Sequence, residues 1–181
     1  FSAPVLTLSD ESLSLMGGVL WEDASARLWL FYTETMGYYD GRGVLKAVRC
    51  DNPSDAAPTW TEPVQLGYGV CSGKPVQIDG RIVLPFALWS RTQISAWPNH
   101  FGNLRQNEDR GLYAELDDKR GAGVYISDDN GNSWNCLPNV VDVPAKVDAR
   151  YPDPQLILTE DGHISMFLRS NGTGNAYISR S

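Results

Sequence analysis

Histidine and cysteine are scarce in this chain. Two histidines, His100 and His163, and three cysteines, Cys50, Cys71 and Cys136, are scattered through 181 residues. Their spacing matches no zinc-ligand pattern, and three cysteines allow at most one bridge beside a free thiol, so a disulfide framework is excluded; three reduced, packed thiols are the plainer expectation. Basic residues are also in short supply, 15 Lys and Arg against 22 Asp and Glu, for a net charge of −7. That balance argues against nucleic acid or an anionic membrane as partner. No apolar run is long enough to span a bilayer. Long helical periodicity is missing too, which excludes a helical bundle. No signal peptide is visible, and Phe1 opens in mid-pattern, so the expectation is that a leader or another domain has been removed.

What remains is aromatic and strand-like. Six Trp, eight Tyr and five Phe make a heavy aromatic load that suits strands and sugar-binding surfaces alike. Short β-like runs recur between Gly, Pro, Asn and Asp. The most informative stretch is Ser127-Asp128-Asp129-Asn130-Gly131-Asn132-Ser133-Trp134. It follows an alternating run at 123–126. Asp and Asn can accept hydrogen bonds from nearby backbone N–H groups, and Gly131 can take positive φ. Trp134 then returns the chain to an apolar surface, which gives a hairpin held by its own side chains.

The same plan repeats. In a first unit, strands are expected at 18–21, 27–32 and 44–49. A lengthened, degenerate version of the turn follows at 50–60, and 63–66 closes the unit. The second unit has 74–78, a turn at Asp79-Gly80 and 81–89, with its third strand and turn in the stretch described above. A third has 153–158, a turn at 160–162 and 163–169; Tyr177-Ile178-Ser179 mirrors Tyr125-Ile126-Ser127. Each unit is an antiparallel four-stranded meander, and repetition at this scale means an all-β fold, a β-propeller. The blades divide at 1–67, 68–145 and 146–181, about three in all. A propeller needs roughly four to eight blades, so the rest of the ring, or a second chain, is expected to close it. A fragment of a longer protein is the favoured expectation, because a half-ring leaves apolar faces in water.

The Ser-x-Asp-x-Gly-x-x-Trp spacing resembles the Asp-box of sialidases. Gly73-Lys74-Pro75-Val76-Gln77-Ile78-Asp79-Gly80-Arg81 and Asp153-Pro154-Gln155-Leu156 through Phe167-Leu168-Arg169 are similar to the BNR-repeat, sialidase-like superfamily. The resemblance covers nearly the whole chain. It implies a six-bladed propeller, secreted or periplasmic, acting on acidic, sialylated or complex oligosaccharides without a cofactor. It also implies an Arg triad for the substrate carboxylate, a Tyr nucleophile activated by a Glu, and an Asp acid/base. The slots of that Glu and of one triad Arg match Asp153 and Arg169. Asp is a methylene shorter than Glu. The family's opening Phe-Arg-Ile-Pro motif is replaced by Met16-Gly17-Gly18, and the nucleophile and third Arg would lie beyond Ser181.

Meander geometry locates the remaining candidates. Loops leading into the first strand of a blade and leaving the second open on one end; the Asp-box turns open on the other. The functional loops are therefore 15–18, 32–43, 71–74, 89–121, 146–153 and 169–174. The long segment 89–121 carries Trp89, Arg91 and Trp97 among other polar and aromatic residues, a mixture suited to stacking on sugar rings and holding a carboxylate in two bonds. A solvated lid fits equally. Asp40, beside Tyr39, falls on the end where the family has its catalytic Asp; an ordinary Asp-Gly turn explains it as well. Arg150 and Tyr151 cluster with Asp148 just before Asp153. The expected catalytic residues are Asp153 and Asp40; the expected substrate-binding residues are Arg169, Lys74, Arg91, Trp89, Arg150, Tyr151, Trp97 and Tyr39, with no metal. Two functions fit: a sialidase-like glycoside hydrolase, or a non-catalytic carbohydrate-binding propeller.

Overall fold

The computed structural model describes residues 4–11, 13–35, 43–89, 114–138, 140–141, 153–169 and 174–181. Strands form in short runs rich in β-branched and aromatic residues; inner ones such as Arg81–Leu88 are near-continuously apolar because both of their faces are buried. The first sheet is a four-stranded antiparallel meander of β1 (Ser14–Glu22), β2 (Leu28–Thr35), β3 (Val44–Cys50) and β4 (Val64–Tyr68). The second, again four-stranded, comprises β5 (Val76–Ile78), β6 (Arg81–Leu88), β7 (Gly121–Ser127) and β8 (Asn135–Leu137). The third orders β9 (Gln155–Leu158), β10 (Ile164–Arg169) and β11 (Ala176–Arg180) in the same way. A short 3-10 helix at Ala114–Lys119, not expected from the sequence, packs Leu116 into the core.

The sheets stack face to face in chain order. Val19, Trp29, Phe31 and Leu45 of the first meet Leu84, Phe86, Leu88 and Tyr125 of the second. Val83, Ala122 and Val124 of the second meet Met166 and Leu168 of the third. Sequential meanders stacked in this way are blades of a β-propeller.

The hairpin turns follow their residues. Asp79 and Gly80 both take positive φ, at 50° and 82°, as a two-residue type I′ hairpin demands. At the Ser127 turn, Asp129 Oδ1 accepts from Ser127 Oγ at 2.8 Å and from Ser133 N at 2.8 Å, while Oδ2 accepts from Ser133 Oγ at 2.6 Å. Gly131 has φ 86°, and a Cβ there would lie 2.3 Å from a ring carbon of Trp29. Trp134 meets Trp29 and Phe31 edge-on, at 6.2 and 6.0 Å. The turn thus closes its own blade and fastens it to the preceding one.

The lengthened turn of the first blade keeps this plan with different atoms. Asn52 Oδ1 accepts from Thr59 N at 3.0 Å and Thr59 Oγ1 at 3.1 Å, as well as from Cys50 Sγ at 3.4 Å. Asn52 therefore stands where Asp129 stands, Thr59 where Ser133 stands, and Cys50 where Ser127 stands. Of the three cysteines, Cys50 and Cys71 are buried thiols, whereas Cys136 is exposed on β8 rather than packed.

Register corrects one detail of the repeat. Leu28 pairs with Cys50 and Ile82 with Ser127. In the third blade Ser165 pairs with Arg180, and Ser181 N donates to Ile164 O at 2.9 Å. Ser181, not Ser179, occupies the Ser127 position. Side chains alternate with period two, so a two-residue slip leaves the pattern unchanged.

Candidate functional site

The two ends of the blades are chemically distinct. At one end lie the Asp23, Asp79-Gly80 and Ser127 turns, joined across blades: Arg27 donates to Asn130 O at 2.9 Å and Ala24 N to Gln77 Oε1 at 2.8 Å. Asp23 organises the first of these turns. It is 5% exposed and accepts from Ser25 N, Arg27 N, Arg27 Nε and Trp29 Nε1. Burial pushes its carboxyl up, but the bonds from Trp29, Arg27 and Ser25 together hold it below the ordinary carboxylate value. Asp23 and Asp129 at this end are committed to holding their turns.

At the opposite end, the chain leading into β9 presents Asp153 and the end of β10 presents Arg169. Arg169 Nη2 lies 2.8 Å from Asp153 Oδ2, with the Arg side chain 56% and the Asp side chain 29% exposed. Asp153 adopts φ 35°, a left-handed conformation that Asp tolerates better than most residues. Burial raises its proton affinity, and the Arg169 charge opposes the rise without cancelling it. A partly desolvated acid beside an open guanidinium is an arrangement that can hold or deliver a proton and grip an anion at once.

Close backbone approach fixes this pair relative to the second blade. A Cβ on Gly73 would lie 2.5 Å from Pro154 O and 2.9 Å from the Pro85 ring, so the position needs glycine. Gln155 Nε2 donates to Ser72 O at 2.9 Å. Together these contacts clasp the segment carrying Lys74, which is exposed, to the segment carrying Asp153. Cys71, buried in the same segment, has its thiol pushed up to about 12 by burial, against a bond to Gly73 O, and is inert as a nucleophile.

Of the residues expected from sequence, the structure brings together Asp153 and Arg169 and leaves Lys74 on the adjoining segment. Trp89 is a correction. It is 4% exposed and forms a buried cluster with Val70 and Ala87, against which Met16 of the first blade packs. Its ring is a packing element, not an open platform for a sugar. Tyr39, Asp40, Arg91, Trp97, Arg150 and Tyr151 lie outside the described residues, as do Asp148 and His100.

Sequence reasoning missed two features of this end. One is the Gly73–Pro154 and Ser72–Gln155 clasp, for which the Gly-Lys-Pro stretch was the available signal. The other is an ion pair on the first blade, Lys46 Nζ to Glu34 Oε2 at 2.6 Å. Glu34, beside the end of β2, interrupts an apolar strand, which could have marked it. Among the described residues no group of His, Cys, Asp and Glu could hold a metal ion, and no helix is long and apolar enough to cross a membrane.

No protein-family model matches the chain, and no curated protein matches it. Solved structures do. An endo-arabinase from Bacteroides thetaiotaomicron is similar at 11% identity and TM-score 0.53, over 96% of this chain and 57% of that one. A thermostable family-43 glycoside hydrolase is similar at 11% identity and TM-score 0.50, over 99% of this chain and 57% of that one. The chain therefore spans 57% of the length of these two structures. At such identity the likeness is one of fold, and it agrees with the stacked blades of a propeller.

Proposed function

We propose that this chain is part of a glycan-active propeller, a glycoside hydrolase that binds an acidic or complex sugar at the blade end carrying Asp153 and Arg169. One observation carries the reading: a partly buried carboxyl with raised proton affinity stands 2.8 Å from a half-exposed guanidinium. The guanidinium suits a sugar carboxylate, which it can hold in two parallel bonds. A carboxylic acid whose proton is retained more tightly than usual suits protonation of a glycosidic oxygen as the C–O bond breaks. Most glycosidases need a second carboxylate as nucleophile or as base for water; Asp40 is the residue proposed for it. In the sialidase-like version the roles are reassigned: a tyrosine is the nucleophile, the residue in the Asp153 slot is the base that activates it, and Asp40 is the acid/base. The fold shared with an arabinase and a family-43 glycoside hydrolase supports the hydrolase class without selecting the sugar. Further blades, from the same or a second chain, complete the ring in this reading, and a secreted or periplasmic setting goes with it.

Turnover of sialylated and uronic-acid glycans by the wild type and by Asp153→Asn tests the proposal. The variant keeps the side-chain shape and loses the proton. Turnover is expected to vanish while glycan affinity stays within about threefold. Equal loss of binding, or unchanged turnover, would overturn the catalytic role. A second reading, a non-catalytic carbohydrate-binding propeller, draws on the same pair. Asp153 already accepts a charged partner, and an Arg–Asp pair can bind sugar hydroxyls without any bond being broken. That reading expects glycan binding with no turnover in either protein.

A further inference from the structure

The register of the three blades makes their positions comparable one by one. Leu28, Ile82 and Ile164 are equivalent, since they are bonded to Cys50, Ser127 and Ser181 in turn. Counting along each strand from there, Thr33, Ala87 and Arg169 occupy one position. In the first two blades that position is buried and closed by the segment at 69–70. Thr33 Oγ1 donates to Gly69 O at 3.5 Å, and Ala87 N donates to Val70 O at 2.9 Å. The third blade instead places a charge there and pairs it with Asp153. The repeat folds without an ion pair at this position, so the pair answers to something other than blade architecture.

Asp153 is also held in a costly backbone conformation. Its φ of 35° lies in the left-handed region, which side chains disfavour. Pro154 follows it, and a proline pushes the residue before it toward extended backbone. Such a conformation persists only where its surroundings over-determine it. Three contacts do so here. The Pro154 ring is fully buried. Pro154 O lies so close to Gly73 that a Cβ there would come within 2.5 Å of it. Gln155 Nε2 donates to Ser72 O at 2.9 Å. Gln155 also pairs with Phe167 on β10, the strand that ends in Arg169. One residue is thus tied by its backbone to the strand carrying Arg169 and by its side chain to the second blade. Of the three contacts, only the Gln155 bond is made by an exposed side chain, so its loss leaves the buried contacts in place.

We infer that Gln155 is a positioning residue: its bond to Ser72 O holds Asp153 in the left-handed conformation that sets the carboxyl 2.8 Å from Arg169. The third blade supplies the two charges and the second blade supplies the anchor that aims one of them. For its effect on turnover the inference rests on the reading of Asp153 and Arg169 as the glycan site. The geometry it asserts is read without any substrate.

The test uses the whole protein with Gln155→Glu, which keeps the shape and replaces the donor by an acceptor, and Gln155→Ala, which removes both. The Arg169 Nε–H resonance is followed through the titration of the Asp153 carboxyl. In the wild type it is expected to move with that titration, because the two groups are in contact. Both variants are expected to lose roughly half of the movement or more, while Tm stays within about 4 °C, the scale of one surface bond. On a glycan that the wild type turns over, kcat is expected to fall roughly ten- to hundredfold, as for a misplaced catalytic group, with KM unchanged within about threefold. Unchanged movement in both variants overturns the inference. So does a loss seen in Gln155→Glu alone, which would trace the effect to the new charge. A fall in Tm beyond about 10 °C would make the bond structural and would also overturn it. The titration decides the inference whatever the turnover shows. Turnover that survives Asp153→Asn removes the hydrolase reading but not a positive titration result. Turnover abolished by Asp153→Asn, with the titration intact in both Gln155 variants, removes the positioning role alone.

Discussion

Replacing Arg169 by alanine separates the functional reading of the Asp153–Arg169 pair from a purely structural one. Arg169 is 56% exposed and Asp153 29% exposed, so water screens the attraction, and such a pair stabilises the fold by at most about 1 kcal/mol. For a chain of this size the expected fall in Tm is no more than about 4 °C. The Asp153 carboxyl responds differently. Burial, which raises its proton affinity, is unchanged by the substitution, whereas the opposing Arg169 charge disappears. Its pKa therefore moves further up. The sign for stability follows: an acid held above its ordinary value of 3.8 favours the fold most below that value, and the benefit is lost as pH rises through the folded value. Arg169→Ala shifts the upper limit of that window upward. A ¹³C-carboxyl titration of Asp153 alongside urea unfolding reads both quantities. An Asp153 pKa that stays put or falls would refute the electrostatic argument. A loss above about 3 kcal/mol, the scale of a broken buried pair, would make the pair structural.

Three further outcomes follow from the turn chemistry. Asp23→Ala removes a buried acceptor of four hydrogen bonds and is expected to cost about 3–5 kcal/mol in urea unfolding; a loss below about 1 kcal/mol would contradict its role. Asp129 is held at about 2, against an ordinary 3.8, chiefly by the Ser133 hydroxyl and N–H. Its contribution is thus complete above 3.8 and lost as pH falls toward 2. Thermal melts of Asp129→Asn should show a shallower acid limb across that window, and identical limbs would count against it. Gly131→Ala puts a Cβ 2.3 Å from the Trp29 ring at φ 86°. The left-handed backbone alone costs about 1–2 kcal/mol, and the displaced ring should change the near-UV dichroism, which a merely strained turn would leave intact.

Much of the fold was legible because hairpins write themselves locally. Short apolar and aromatic runs marked the strands, and Asp79-Gly80 and Asp161-Gly162 the turns; most bounds fell within two residues, but the first strand begins four residues earlier than expected, at Ser14, and the second ends three later, at Thr35. The lengthened first turn was legible from Trp60, although its chemistry, an asparagine and a cysteine doing the work of an aspartate and a serine, was not. What depends on register stayed hidden: Ser179 and Ser181 point the same way, so only pairing to Ile164 distinguishes them. Trp89 misled because a long polar stretch of sequence follows it, while its burial comes from a cluster with Val70 and Ala87 against which Met16 of the first blade packs. Asp153 and Arg169 could be brought to one end by meander geometry alone. The clasp through Gly73 and Gln155 could not, since it joins two blades.

The most direct measurement of the central claim is a heteronuclear titration of the protein with sodium glucuronate and with N-acetylneuraminic acid, reading the Arg169 Nε–H and Asp153 carboxyl resonances. The account predicts saturable shifts at both groups with at least one of the acids, and none with neutral glucose. Shifts confined to the opposite end of the blades, or none at these two residues, would contradict it.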